Sequence, residues 1–178
     1  MRISSAWVVD TVRLRLTPPG YQDLADLIRL KSDPRAYALM LGGVRTAAQT
    51  TAELAQDIQD WGQYGFGLWT VRGIRDGKFL GITALMHRPD NLGVALRFAF
   101  LPEARGAGLA REAAAAALSY AHNVAHLPKV IAVAREDNFA SRQVLSSIGM
   151  SVVDRFLRDG DLMLIYQSAT TLHDVNSP

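Results

Sequence analysis

Leu101-Pro-Glu-Ala-Arg105-Gly-Ala-Gly108-Leu-Ala110 runs directly into Arg-Glu-Ala-Ala-Ala-Ala-Ala-Leu118. The apolar, aromatic stretch before it, Val94 to Leu101, reads as a buried strand, and the alanine-rich stretch after it reads as helix. The order is therefore strand, tight glycine turn, helix start. The first backbone N–H groups of such a helix lack partners within it and sit at the positive end of its dipole. Gly106 and Gly108 let a ligand approach the backbone closely, and the natural guest is a phosphate or pyrophosphate. Two other phosphate loops do not fit. No Gly-Lys-Ser/Thr follows, as a Walker A loop requires, and the third glycine of G-x-G-x-x-G would fall on Arg111. A plain glycine turn opening a helix is the simplest local reading.

Outward from the loop, the chain alternates strands and helices. Phe66-Gly-Leu-Trp-Thr-Val71 and the run Phe79 to Met86 read as strands joined across Asp76-Gly77, a favoured hairpin pair. Further back, Val12 to Leu16 alternates apolar and polar residues, as a half-buried strand does. Leu24, Leu27 and Ile28 follow at helical spacing. Asp33-Pro34 caps a short helix. Thr46 to Gln63 is amphipathic, with Leu54, Ile58 and Trp61 on one face. Beyond the loop helix, Lys129 to Ala134 is a continuously apolar central strand. Asn138 to Ile148 is a helix that turns Ala140, Val144, Leu145 and Ile148 inward, and Gly149 stops it. Val152 to Leu157 and Leu162 to Gln167 form a last hairpin. This is an α+β layout, a mixed sheet of about seven strands flanked by helices. Residues 1–168 are expected to form one domain, and residues 169–178 a polar, frayed tail.

Bulk properties exclude several classes. A chain of 178 residues with 49% hydrophobic and 20% charged residues suits one globular core. Its net charge of +2, with no basic stripe, does not suggest a nucleic-acid partner. It has no cysteine, which excludes disulfides, thiolate metal sites and a cysteine nucleophile, and no metal is expected. Without an apolar signal core or membrane-length run, no membrane partner is expected and the cytoplasm is the default location. A homodimer is left open.

Arg105-x-x-Gly108-x-Ala110 resembles the Gln/Arg-x-x-Gly-x-Gly/Ala signature of the GNAT family of N-acetyltransferases. Asn138-Phe-Ala-Ser141-Arg-Gln-Val-Leu145-Ser-Ser-Ile-Gly149-Met150 resembles that family's second signature, and one strand separates the two in the family's order. The element order agrees over roughly residues 10 to 168. Arg13-Leu-Arg-Leu16, Tyr64-Gly-Phe-Gly-Leu-Trp69 and Phe79-Leu-Gly-Ile82 look like the branch containing the ribosomal-protein alanine N-acetyltransferases. The resemblance implies a GNAT fold that uses acetyl-CoA as cosubstrate. Its acetyl acceptor would be a primary amine on a protein or peptide N-terminus, an amino acid or a small molecule. It implies a pyrophosphate cradle of Arg105, Gly106, Ala107, Gly108, Leu109 and Ala110, with the backbone at Phe98, Ala99 and Phe100 along the pantetheine arm. Asn138 and Ser141 would also contact the cosubstrate, although Asn138 equally suits a helix cap. Ser141 is the first choice to protonate the leaving thiolate and Tyr166 the second, core packing being the other role for that tyrosine.

The chain departs from the branch at its fourth expected strand. Glu-Ile/Leu-Gly-Tyr is common there, and this sequence has Ala95, Leu96, Arg97 and Phe98. The carboxylate often offered as general base is thus absent. Arg97 adds a charge beside the expected acceptor site unless it points to solvent, as most arginines do. Glu103, His87 and Glu136 are the other base candidates, each also readable as a solvated loop residue. Ala95 keeps open a non-catalytic acyl-CoA-binding sensor or scaffold. A nucleotide-binding regulatory domain rests on the glycine loop alone.

Overall fold

A computed structural model describes residues 3–169. These residues form eight strands: β1 (Val9–Asp10), β2 (Leu14–Thr17), β3 (Leu68–Gly73), β4 (Phe79–His87), β5 (Val94–Phe100), β6 (Lys129–Arg135), β7 (Ser151–Arg158) and β8 (Asp161–Ala169). They form one mixed sheet in the order β1-β2-β3-β4-β5-β6-β8-β7. The expected α+β layout is present with one strand more than expected. The addition is β1, whose two residues are too few to show alternation. Ala169 closes β8, so the expected tail does not begin there, and residues 170–178 lie outside the described residues.

The helices are α1 (Leu24–Ser32), α2 (Pro34–Tyr37), α3 (Ala47–Tyr64), α4 (Leu109–Asn123) and α5 (Phe139–Ser147). Their starts follow from side-chain caps. Asp33 accepts from the Arg35 N–H at 2.9 Å. Thr46 and Gln49 bond each other's backbone N–H at 3.1 and 2.9 Å, a reciprocal capping box. In α4, Ala113, Ala114, Ala117 and Ala121 are fully buried, so the alanine run lets this helix lie close against the sheet. Ala140 does not turn inward as expected. It is exposed, because the first turn of α5 overhangs an opening in the sheet, and only further along does the helix bury Leu145. Among the described residues, no helix is long and apolar enough to cross a membrane.

Two layers sandwich the sheet. Trp69 meets Tyr120 of α4 edge-to-face at 5.1 Å. Trp69 stands opposite Thr83, and Thr83 opposite Phe98, so α4 covers the face that carries Phe98. On the other face, Arg72 bonds Asp23 and Asp26 at 2.8 Å and holds α1 against β3.

One junction in the sheet is incomplete. β4 and β5 stay in register from Gly81↔Phe100 to His87↔Val94. Among the described residues the one parallel pair, β5 and β6, is in register only at Ala95↔Ile131. Beyond that point the two strands part, and a wedge opens at their C-terminal ends.

Candidate active site

The wedge is a cleft of about 750 Å³ walled by β5, β6, the α2 region, the glycine loop and the starts of α4 and α5. It lies where parallel strands end and their connections leave, the usual place for a ligand in a sheet with helices on both faces. One wall is an unpaired strand edge. The Leu101 N–H donates to the Leu80 carbonyl of β4 at 2.9 Å. A Cβ on Gly81 of β4 would collide with the Ala99 carbonyl oxygen, which therefore also faces β4. Alternation along the ladder then turns the N–H and C=O groups of Phe98 and Phe100 to the open edge. Ala99 offers the cleft only its methyl group.

The glycine loop forms the second wall. Gly106 (φ +87) and Gly108 (φ +74) adopt a left-handed conformation that side chains disfavour. The first helical bond runs from the Glu112 N–H to the Gly108 carbonyl at 3.1 Å. The N–H groups of Leu109, Ala110 and Arg111 are left without helical partners, beside the cleft. The Glu112 carboxylate accepts from the Thr11 hydroxyl (2.6 Å), the Arg13 N–H (2.9 Å) and Arg13 Nε (2.6 Å). Burial works to raise this carboxyl, and the bonds from Thr11 and Arg13 outweigh it and hold it below its ordinary range. Arg13 Nη1 also donates to the Ala107 carbonyl at 2.8 Å, and Ala107 alone among the expected cradle residues does not line the cleft. Arg105 donates to the Arg35 carbonyl at 2.6 Å, tying the loop to α2. The Arg13–Glu112 clamp joins residues 99 apart, so no local spacing announces it.

At the start of α5, Asn138 Oδ1 accepts from the Ser141 N–H at 3.2 Å, the capping geometry, and both residues line the cleft. Tyr166 is only 2% exposed and does not line it; its phenol oxygen accepts from Arg142 Nε at 3.3 Å. Ala95 lies at the fork of the wedge, buried, and lines it. The three base candidates are elsewhere. Glu103 pairs with Arg29 at 3.3 Å, His87 packs against Tyr64 and Phe66 at 4.7 and 5.5 Å, and Glu136 is exposed. None of the three lines the cleft.

Charge in the cleft has one sign. Among the described residues, seven arginines line it and no Asp, Glu or His does. Arg35, Arg105 and Arg111 stand near the start of α4, and Arg135 and Arg158 along the far side, with Arg88 and Arg97 completing the set. Arg97 does not point to solvent. It is half-buried and faces the layer of α2 and α3, where Tyr37, Arg45, Glu53 and Asp57 lie near it together with Arg88. Burial lowers its pKa below the ordinary arginine value; Arg88 and Arg45 add to the shift, and Glu53 opposes it. Behind it lies an ionic cluster that the sequence does not announce. Lys31, 2% exposed, bonds Glu53 at 2.7 Å and lies 3.9 Å from Asp57. Asp57 Oδ2 is buried without a hydrogen-bond partner, and burial pushes this carboxyl up to about 6.

Residues 13–151 match a family described as acetyltransferase (GNAT) domain. The FsC-acetyl coenzyme A-N(2)-transacetylase of Aspergillus fumigatus is 26% identical over 175 residues, covering 90% of this chain and 72% of that protein. An acetyltransferase from Agrobacterium tumefaciens str. C58 superposes with a TM-score of 0.80 at 24% identity, over 92% of this chain and 94% of its own. The ribosomal-protein-S5-alanine acetyltransferase from Vibrio fischeri superposes with a TM-score of 0.74 at 14% identity, over 96% and 99%.

Proposed function

The chain belongs to the GNAT acetyltransferase family, and from that premise we propose that it transfers the acetyl group of acetyl-CoA to a primary amine by direct attack. The observation that carries this reading is the wedge between β5 and β6, which meets the unsatisfied N-terminus of α4. The parts fit the cosubstrate. Free N–H groups at Leu109, Ala110 and Arg111, with glycines at 106 and 108, suit a pyrophosphate, and Arg105 and Arg111 add positive charge there. The open edge at Phe98 and Phe100 offers amide partners to the pantetheine arm, and the Ala99 methyl packs beside it. Ala107 serves the cradle from behind, through its bond to Arg13.

In the reaction the amine lone pair forms an N–C bond, and the C–S bond breaks with its electrons on sulfur. Ser141, in the first turn of α5, gives a proton to that sulfur, and the proton shed by nitrogen returns to the serine oxygen through water. The N-terminal end of α5 favours the charge that builds on sulfur. Asn138 fixes the turn that presents Ser141. Tyr166, bonded to Arg142 in the core, is the alternative acid. No residue is assigned as base. Holding the two reactants together supplies on the order of 7–11 kcal/mol in favourable cases.

A second reading, a non-catalytic acyl-CoA sensor, is favoured by the lack of any carboxylate or imidazole lining the cleft among the described residues. The two part on free-thiol release from acetyl-CoA with a panel of amines that includes peptides starting with Ala or Ser. Turnover with any amine supports the transferase. Thermal stabilisation by acetyl-CoA, absent with ATP and NAD, and no thiol release with any amine would leave the sensor.

A further inference from the structure

We propose that the acceptor carries a carboxylate near its amine, and that Arg97 is the residue that receives it. This rests on the acetyltransferase reading above. Arg97 lines the cleft, and its guanidinium makes no hydrogen bond or ion pair among the described residues. The acidic groups whose charges reach it, Glu53 and Asp57, lie against other cations. Glu53 bonds Lys31 and Arg45, and Asp57, whose Oδ2 has no hydrogen-bond partner, lies 3.9 Å from Lys31. Arg97 is therefore a positive charge half out of water, whose planar fork of five donors faces the cleft without a protein partner among the described residues. A carboxylate matches that fork with two parallel bonds.

Position separates this charge from the cosubstrate's phosphates. The phosphate cradle belongs to α4, on the face of the sheet that carries Phe98. Arg97 is the next residue along β5, so it faces the opposite layer. A headgroup at the cradle leaves Arg97 unanswered. On the same strand face Ala95 and Ala99 flank it with methyl groups, which leaves room for a small acceptor. A neighbouring guanidinium also raises the cost of an ammonium ion, so an anchored acceptor loses its proton more easily. That compensates in part for the missing base at residue 95. The same charge disfavours acceptors that carry further cations.

The test pairs alanine with alaninamide as acceptors, with rates corrected for the fraction of free amine. Wild type should prefer the acid by about tenfold or more in kcat/KM, the size of one charge-assisted interaction. In Arg97→Met that ratio should collapse towards one, and Arg97→Lys should restore part of it. Stabilisation of the variants by acetyl-CoA shows that they are folded and bind the cosubstrate. Equal wild-type rates on acid and amide would overturn the proposal, as would a ratio untouched by Arg97→Met. Binding tests the idea without turnover. With CoA present, N-acetylalanine should raise the Tm of wild type more than N-acetylalaninamide does, and the difference should vanish in Arg97→Met. If no amine releases thiol, the transferase reading fails alone and the binding arm decides, with equal shifts for the two probes ruling out a carboxylate site.

Discussion

At residue 108 the cradle depends on one backbone angle. Gly108 caps α4 with φ +74, and an added Cβ would meet only Arg13 Nη2, at an ordinary 3.7 Å. Crowding is thus not the obstacle; conformation is. Gly108→Ala should cost about 1–2 kcal/mol of stability, or roughly 2–8 °C in Tm for a chain of this size. It should also erase the stabilisation by acetyl-CoA, which at a hundredfold excess over Kd is worth about 2.7 kcal/mol in wild type. A destabilised variant that still shows the full ligand shift would move the phosphate site away from this loop. Ser141 is a different case, since its backbone is held by Asn138 and its hydroxyl is the part with a proposed task. Ser141→Ala should lower kcat by about tenfold, less than the roughly 100-fold or more usual for a general acid, because a thiol of pKa about 8.5 leaves without full protonation. Its affinity for acetyl-CoA should hardly change. Tyr166→Phe, which removes a buried phenol outside the cleft lining, should leave the rate within about twofold. A rate loss in the tyrosine variant alone would transfer the acid role to Tyr166.

Among the elements, α1 and α3 enclose the chain's main buried charge cluster. Asp57 titrates at about 6 in the fold against 3.8 for the free group, with burial and then the nearby charges of Lys31, Glu53, Asp60 and Arg97 setting the balance. The folded state therefore holds this proton more tightly than the unfolded chain does. Its contribution to stability is present below pH 3.8 and is lost as pH rises through about 6, a change on the order of 3 kcal/mol. Asp57→Asn stays neutral throughout, so it should gain on wild type between pH 4 and pH 7. Urea unfolding at several pH values measures the gap, and parallel curves for the two proteins would refute it. The cluster also shows where sequence reading stops. Helix starts were legible because Asp33, Thr46 and Asn138 act within three residues of their targets. Lys31 and Asp57 sit on amphipathic helices, where a charged side chain reads as solvent-facing. Only the packing of α1 on α3 buries them.

For the whole molecule, the decisive feature is a pairing that stops. Sequence patterns identified β5 and β6 as apolar strands and placed the glycine loop and Asn138 directly after them. No pattern in either strand says that their ladder ends at Ala95↔Ile131, because strand propensity reports how side chains pack on the faces of a sheet and not where its edge stays unpaired. The side chain of Arg97, for which the sequence leaves both the acceptor site and solvent open, is decided for a related reason, since whether it meets solvent depends on the α2–α3 layer that covers its face. The open edge makes a prediction that follows from the sheet as a whole. Phe98 and Phe100 point their N–H groups at the wedge, whereas the amides of β4 and β8 that pair along full ladders are already protected. Acetyl-CoA should therefore slow hydrogen exchange in three separate segments, residues 96–100, 106–111 and 138–141. β2 and β3, on the far side of β4, should exchange as before. The Arg13–Glu112 clamp gives the experiment a second arm, because it holds the loop in place without lining the cleft. Glu112→Gln should speed exchange over 106–111 in the free protein while leaving 96–100 unchanged. Protection by acetyl-CoA spread evenly over the sheet, or centred on β7 and β8, would mean that the wedge is not where the cosubstrate binds.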